Sequence, residues 1–315
     1  MKLTLLDAET LGTDICLKPL EQAGDLTVYP KTAQKEIAQR IENAEAVITN
    51  KRKLNRENLQ NAKNLKLICV TATGYDNIDL DYCRKRGIAL CNVPGYSTDS
   101  VCQVTLAMVL SLSTRLEEYR NYVRSGAYSA GKTANFLGYP WMELAGKTWG
   151  VVGGGAIGQK VAEVASAMGC RVLMCRRKDD PRFETADIGR ICAEADILTV
   201  HVPLSDSTRT LISRERIEKM KPTAIVVNTA RGAVADEQAL AEAVETGKIG
   251  ALGVDVYGTE PFPAGHPYTK IAGMPNVCLT PHMAWSALEA RNRCVREVAE
   301  NIRAFARGEV RNRIL

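Results

Sequence analysis

Residues 150–162 read GVVGGGAIGQKVA, and the fold turns on what those three separated glycines are for. Gly153, Gly155 and Gly158 stand in GxGxxG spacing. Glycine-rich turns are common, so the spacing alone says little; its context says more. The run follows an apolar, strand-like TWGVVG at 148–153 and leads into a helix-like stretch in which Ala162 and Val164 suit close packing. There the first glycine permits a tight turn and the second lets backbone approach a pyrophosphate. The third lets strand and helix pack closely, and the open helix N-terminus attracts the anion. The segment predicts a dinucleotide-binding unit with Gly153, Gly155, Ala156, Ile157 and Gly158 at the cofactor.

Short apolar runs alternate with amphipathic stretches on both sides of this loop, which is the pattern of parallel-sheet α/β architecture. Downstream lie RVLMC (171–175), ADILTVHV (195–202), AIVVNTA (224–230), GALGVDV (250–256) and VCLTP (277–281). Upstream lie KLTLLD (2–7), LTVYP (26–30), AEAVIT (44–49), LKLICVTA (65–72) and IALCNV (88–93). The phosphate loop therefore sits behind a complete α/β unit. One long helix is expected over 100–124, and the Gly-rich, aromatic segment 126–148 is expected to be a loop. Leu288, Val295, Val298, Ile302 and Phe305 recur at helical spacing near the end, and that helix is expected to pack back on the first unit. The expected fold class is α/β with two doubly wound parallel-sheet domains: a Rossmann cofactor domain, residues 100–285, inserted into a flavodoxin-like substrate domain, residues 1–99 and 286–315.

A chain of 315 residues is long enough for two such cores. The net charge of +5 is spread along the chain, with no basic tail, so nucleic acid is not an expected partner. No apolar run approaches the roughly 20 residues that span a bilayer, and MKLTLLDAET lacks the long apolar core of a signal peptide. None of the ten cysteines forms a CxxC pair, and several lie inside apolar runs. Buried free thiols behave as small hydrophobes. The expectation is a reduced, cytoplasmic protein without disulfides, metal or membrane contact.

Three further residues fall just past apolar strands, where the ligand crevice of an open sheet lies. They are Arg231 in VNTARGAVADE, Glu260 in GVDVYGTEP and His282 in CLTPHMAW. Asp255 ends the strand before Glu260. The whole series, TATGYDNID (71–79), VCQVTLAM (101–108), GGGAIG, HVPL, NTARG, DVYGTEP and TPHMAW, resembles the D-isomer-specific 2-hydroxyacid dehydrogenases over essentially the full length. TATGYDNIDL and YSTDSVCQ are most similar to the glycerate dehydrogenases, or hydroxypyruvate reductases, of that family. The resemblance implies hydride transfer between NAD(P)H and a small 2-oxo acid, hydroxypyruvate or glyoxylate first, at a site between two domains of a homodimer. Another D-2-hydroxyacid dehydrogenase, acting on lactate or a branched acid, is an alternative. So is a corepressor of the same fold, although no Pro-rich recruiting segment occurs in these residues.

The chemistry suits the residue types. Arginine's planar fork binds a carboxylate bidentately and polarises the adjacent carbonyl. Hydride arrival turns that carbonyl oxygen into an alkoxide that needs a proton, and histidine titrates near neutral pH. A glutamate on the other ring nitrogen favours the imidazolium and fixes its orientation. Arg231, Glu260 and His282 are thus the expected catalytic residues. The resemblance adds backbone amides at Thr73 and Gly74 for the substrate carboxylate, together with Arg231 and His282. It also implies cofactor contacts at His201, Pro203, Thr229, Ala230 and Asp255, although Asp255 has a second reading as a cap. His266 is expected to be a loop residue, and Trp285 either core or substrate wall.

The strand RVLMC ends on Arg176, Arg177 and Lys178. NAD-binding units carry an acidic residue about 20 positions past the glycines to bind the ribose 2′-hydroxyl. Here Arg176 stands at that place, and the first acid is Asp179. Arg176 and Arg177 match a 2′-phosphate, so NADPH (NADP) is the expected cofactor, with NAD the alternative.

Overall fold

The computed structural model describes residues 1–176 and 181–315. The chain divides into two compact units, Met1–Ser97 with Trp285–Leu315, and Thr98–Ala284.

The first unit is built on five parallel strands, β1 (Lys2–Leu5), β2 (Asp25–Val28), β3 (Ala46–Thr49), β4 (Leu67–Val70) and β5 (Ala89–Cys91), in the order β2-β1-β3-β4-β5. This is the flavodoxin-like order. All four residues of β3 and of β4 are buried, because helices cover both faces of a parallel sheet. Leu3, Leu5, Ile48 and Cys69 face one core with Ala290, Cys294, Val298 and Ile302 of the helix Leu288–Ala306. Val47, Ile68 and Leu90 face the other with Ile37, Leu59 and Cys83. The C-terminal helix therefore completes the core of the unit that the N-terminus began.

The second unit has seven strands: β6 (Thr148–Val152), β7 (Arg171–Cys175), β8 (Glu184–Thr185), β9 (Ile197–Val200), β10 (Ile225–Asn228), β11 (Ala251–Val254) and β12 (Val277–Leu279). They run parallel in the order β12-β11-β10-β9-β6-β7-β8. Counted within the unit and read from the other edge, the first six are the Rossmann order 3-2-1-4-5-6. The expected fold class, two doubly wound parallel sheets, is what the chain adopts.

Two local expectations need correction. The helix expected over 100–124 is two helices, Thr98–Thr114 and Leu116–Arg124. Between them Arg115 takes a left-handed backbone, φ 53°, and its guanidinium grips Glu118 in the next turn, Nε to Oε2 at 2.6 Å. The two-residue edge strand β8 has no apolar signature, since both of its residues are exposed. All ten cysteines are free thiols. Among the described residues no helix is long and apolar enough to cross a membrane.

Candidate active site

A parallel sheet brings every strand's carboxyl end to one edge, and the strand order of the second unit arranges its functional loops in a row. Along that edge stand His282 after β12, Glu260 after β11, Arg231 after β10 and His201 after β9. The glycine loop follows β6, and Arg176 follows β7. Strands lie about 4.8 Å apart, so β12 to β6 spans roughly 19 Å.

His282 and Glu260 are bonded. His282 Nδ1 lies 2.6 Å from Glu260 Oε2, with 21% and 31% of the two side chains exposed. The second carboxylate oxygen, Oε1, accepts from the backbone N–H of Tyr257 at 3.1 Å. His282 itself has φ 53°, a conformation that costs a non-glycine residue about 1–3 kcal/mol and persists only where surroundings impose it. They do so through Asp255, which is buried. Its carboxylate accepts from Thr280 Oγ1 at 2.5 Å, Met283 N at 2.8 Å and Ala284 N at 2.9 Å. Asp255 therefore caps the turn that presents His282. Tyr257 ties the two loops together, because its hydroxyl donates to Thr280 O at 2.9 Å. Burial first, then the Asp255 and Glu260 carboxylates, pushes that phenol up to about 12, so it stays a donor.

Arg231 is half-buried in a short turn shaped by Asn228. Asn228 accepts from Ala230 N at 3.0 Å and donates to Arg231 O at 3.0 Å. Arg231 Nη1 donates to Ala230 O at 2.8 Å. The next residue must be glycine: a Cβ on Gly232 would lie 2.0 Å from Tyr257 C and 2.2 Å from Gly258 N. The Arg231 turn thus abuts the peptide that leads to Glu260.

The glycine loop fits a dinucleotide pyrophosphate. Gly153 has φ 117°, and a Cβ there would meet His201 O at 2.5 Å; one on Gly158 would meet Gly153 O at 1.9 Å. Gly155, in contrast, faces open space and begins the helix Ala156–Ala167 with no side-chain cap. An uncapped helix start lined by glycine is suited to an anion. Ala156 opens that helix and is exposed, whereas Ile157 is partly buried against the core. His201 Nε2 is buried and makes no hydrogen bond to any described residue. Burial pushes the ring down to about 3, so His201 is neutral at physiological pH. Pro203 O takes a bond from Thr208 Oγ1 at 2.6 Å, and Thr229 Oγ1 lies 3.1 Å from Thr105 Oγ1, with Ala230 beside it. Arg176 runs along the glycine loop, its Cβ 2.7 Å from where a Cβ on Gly154 would be. Its guanidinium bonds Phe183 O at 2.9 Å and Thr185 Oγ1 at 3.3 Å. Arg177 lies outside the described residues.

In the first unit, Thr73 and Gly74 follow β4. Thr73 Oγ1 donates to Val93 O at 3.0 Å and Thr73 O accepts from Asn92 Nδ2 at 2.8 Å, so this turn is braced. Trp285 packs edge-on to Tyr96 at 6.3 Å, as part of that unit's core. His266 is not a plain loop residue. It is buried and caps the helix Pro267–Ile271, its Nδ1 accepting from Tyr268 N at 3.2 Å. A histidine followed by proline at a helix start was the signal available, since Pro favours the first helical turn.

Comparison with known proteins agrees with the α/β fold. Residues 106–284 match the family model described as "D-isomer specific 2-hydroxyacid dehydrogenase, NAD binding domain". The chain is 32% identical to a hydroxypyruvate reductase of Blautia hydrogenotrophica, over 98% of each. It superposes on an acyclic imino acid reductase in complex with NADPH and D-Arg, with TM-score 0.90 and 27% identity over 100% of both chains. It also superposes on the D-lactate dehydrogenase of Aquifex aeolicus complexed with NAD and lactic acid, with TM-score 0.87 and 30% identity over 98% of this chain and 96% of that one.

Proposed function

Because the chain belongs to the D-isomer-specific 2-hydroxyacid dehydrogenases, we propose that it reduces a small 2-oxo acid, hydroxypyruvate or glyoxylate first, to the D-2-hydroxy acid with NADPH. The observation that carries this reading is the 2.6 Å bond between His282 and Glu260 on the strand edge that also presents Arg231. When bound, the nicotinamide cofactor supplies the hydride. Arg231 holds the substrate carboxylate in its fork and polarises the neighbouring carbonyl. Glu260 bonds Nδ1 of His282, and Nε2 delivers a proton to the oxygen as charge develops there. In the oxidative direction the same nitrogen accepts that proton. Similarity to a hydroxypyruvate reductase supports the choice of a small polar acid.

A panel of 2-oxo acids with NADPH and NADH tests this directly. Hydroxypyruvate and glyoxylate are expected to give the highest kcat/KM, above pyruvate and branched acids, with D-stereochemistry in the product. Turnover only when an amine accompanies the oxo acid would make an imine the substrate instead. NADPH is expected to exceed NADH in kcat/KM, because a cation at Arg176 attracts a 2′-phosphate that an acidic residue would repel. Arg176→Asp should reverse that preference by lowering the NADPH value. A wild-type preference for NADH would refute the phosphate-site reading and leave Arg176 as a brace for Phe183 and Thr185.

The assembly is proposed to be a homodimer through the second unit. Leu116, Val123, Leu137 and Trp141 are all more than half exposed, and they flank a packed aromatic group of Tyr119, Tyr122, Phe136 and Tyr139. Apolar surface concentrated in this way marks an interaction site. Light scattering should give twice the chain mass of 34.4 kDa, and Leu137→Asp with Trp141→Glu should shift it toward one. A monomeric wild type would reject the dimer.

A further inference from the structure

Glu237 opens the helix Glu237–Glu245, six residues after Arg231 but 23 before Glu260, and its carboxylate reaches the segment that carries Glu260. Oε1 accepts from Gly258 N–H at 3.0 Å. Oε2 lies 3.2 Å from His266 Nε2. Only 18% of the Glu237 side chain and 8% of the His266 side chain are exposed. The tautomer follows from the other ring nitrogen: Nδ1 accepts from Tyr268 N–H and so carries no proton, which makes Nε2 the donor to Glu237. The first turn of a helix suits the carboxylate. The His266 ring is in turn wedged among Tyr257, Phe262 and Tyr268, with centroids 5.0–6.2 Å away.

What this carboxylate grips is the peptide on which the site depends. The Tyr257–Gly258 peptide is the one against which Gly232, and with it the Arg231 turn, is pressed. Tyr257 N–H also holds Glu260 Oε1. We propose that Glu237 and His266 are positioning residues, a clamp on Gly258 N–H that sets the orientation of Glu260 and, through it, of His282. This rests on the reductase reading of the site. Neither residue touches the reacting atoms; both act through the 257–260 segment.

The test uses three single variants of the full chain. Glu237→Gln puts an NH2 donor where one of the two carboxylate oxygens now accepts, so either Gly258 N–H or His266 Nε2–H faces a donor. His266→Asn keeps a good helix cap for Tyr268 N–H but is too short to reach Glu237. Gly258→Ala places a Cβ 2.8 Å from Glu237 Oε2; only the flexible end of that side chain must move, so the clamp opens while the fold stays intact. All three are expected to lower kcat about 10- to 100-fold, the scale of small misplacements of reacting groups. The 2-oxo acid KM and the Kd for NADPH should change by less than about twofold. The decisive readout is the His282→Gln background, where the acid–base group that Glu260 orients is gone, so the clamp variants should add no further loss. Unchanged kcat in folded His266→Asn or Gly258→Ala, or an equal fractional loss in that background, would overturn the clamp. A wild type inactive on every acid of the panel would instead overturn the reductase reading.

Discussion

Replacing His282 with Gln is expected to lower kcat for 2-oxo acid reduction roughly 10²–10⁴-fold, the usual scale for loss of general acid–base catalysis, while NADPH affinity stays near wild type. The substitution isolates proton transfer because the surrounding turn does not depend on the imidazole. Asp255 holds Thr280, Met283 and Ala284, His282 N donates to Thr280 O at 3.0 Å, and Tyr257 holds the Thr280 carbonyl. Those bonds impose φ 53° on whichever residue occupies the position. Gln can keep a hydrogen bond to Glu260 through its amide, but it has no titratable nitrogen to hand a proton to the substrate oxygen. Steady-state kinetics on hydroxypyruvate and a fluorescence titration with NADPH separate the two effects. A variant that turns over at near the wild-type rate would return His282 to a structural role. A variant that loses NADPH affinity in equal measure would show that the turn itself had collapsed.

The large features of this molecule are legible in its sequence because they are written locally. Gly153, Gly155 and Gly158 fall within six residues of chain, and the structure gives Gly153 a positive φ, Gly155 open space at the helix start, and Gly158 a backbone oxygen 1.9 Å from where a Cβ would sit. Strand runs buried on both faces are continuous and apolar, so β3, β4, β9 and β10 stand out. Arg231, Glu260 and His282 stand out as candidates because each lies in the segment just past an apolar strand run. What supports them was not legible. Glu237 opens a helix whereas Gly258 and Glu260 lie in the loop after β11, and the contact between Oε1 and Gly258 N–H spans 21 residues with no periodic signal. Asp255 has the same composition whether it faces a ligand or caps a turn; only the three donors that converge on it decide. The break at Arg115 escaped for a third reason: a helical hydrophobic pattern runs through it, and a left-handed residue clasping Glu118 leaves no gap in that pattern.

Arg231→Lys keeps the positive charge and removes the fork, and it is expected to lower kcat/KM for hydroxypyruvate by roughly 10²–10³-fold, the scale of losing one preorganised donor at a developing oxyanion. Charge is the smaller part of what arginine contributes here. The Asn228 bonds fix the turn, and the Arg231 side chain bonds its own Ala230 carbonyl through Nη1. That bond helps to orient the planar group. Lysine offers a single, mobile ammonium that cannot brace itself and bind a carboxylate bidentately at once. Both KM and kcat should suffer, because the same contact binds the carboxylate and polarises the carbonyl beside it. A simple ketone without a carboxylate provides the control. It has nothing for the fork to hold, so its slow turnover should change little on substitution. Equal losses for the keto acid and the ketone would mean that Arg231 mainly holds its turn against the Tyr257–Gly258 peptide. In that case thermal stability should fall together with the rate, whereas a carboxylate anchor predicts a melting temperature within a degree or two of wild type, about what a half-buried cation exchange costs away from a core.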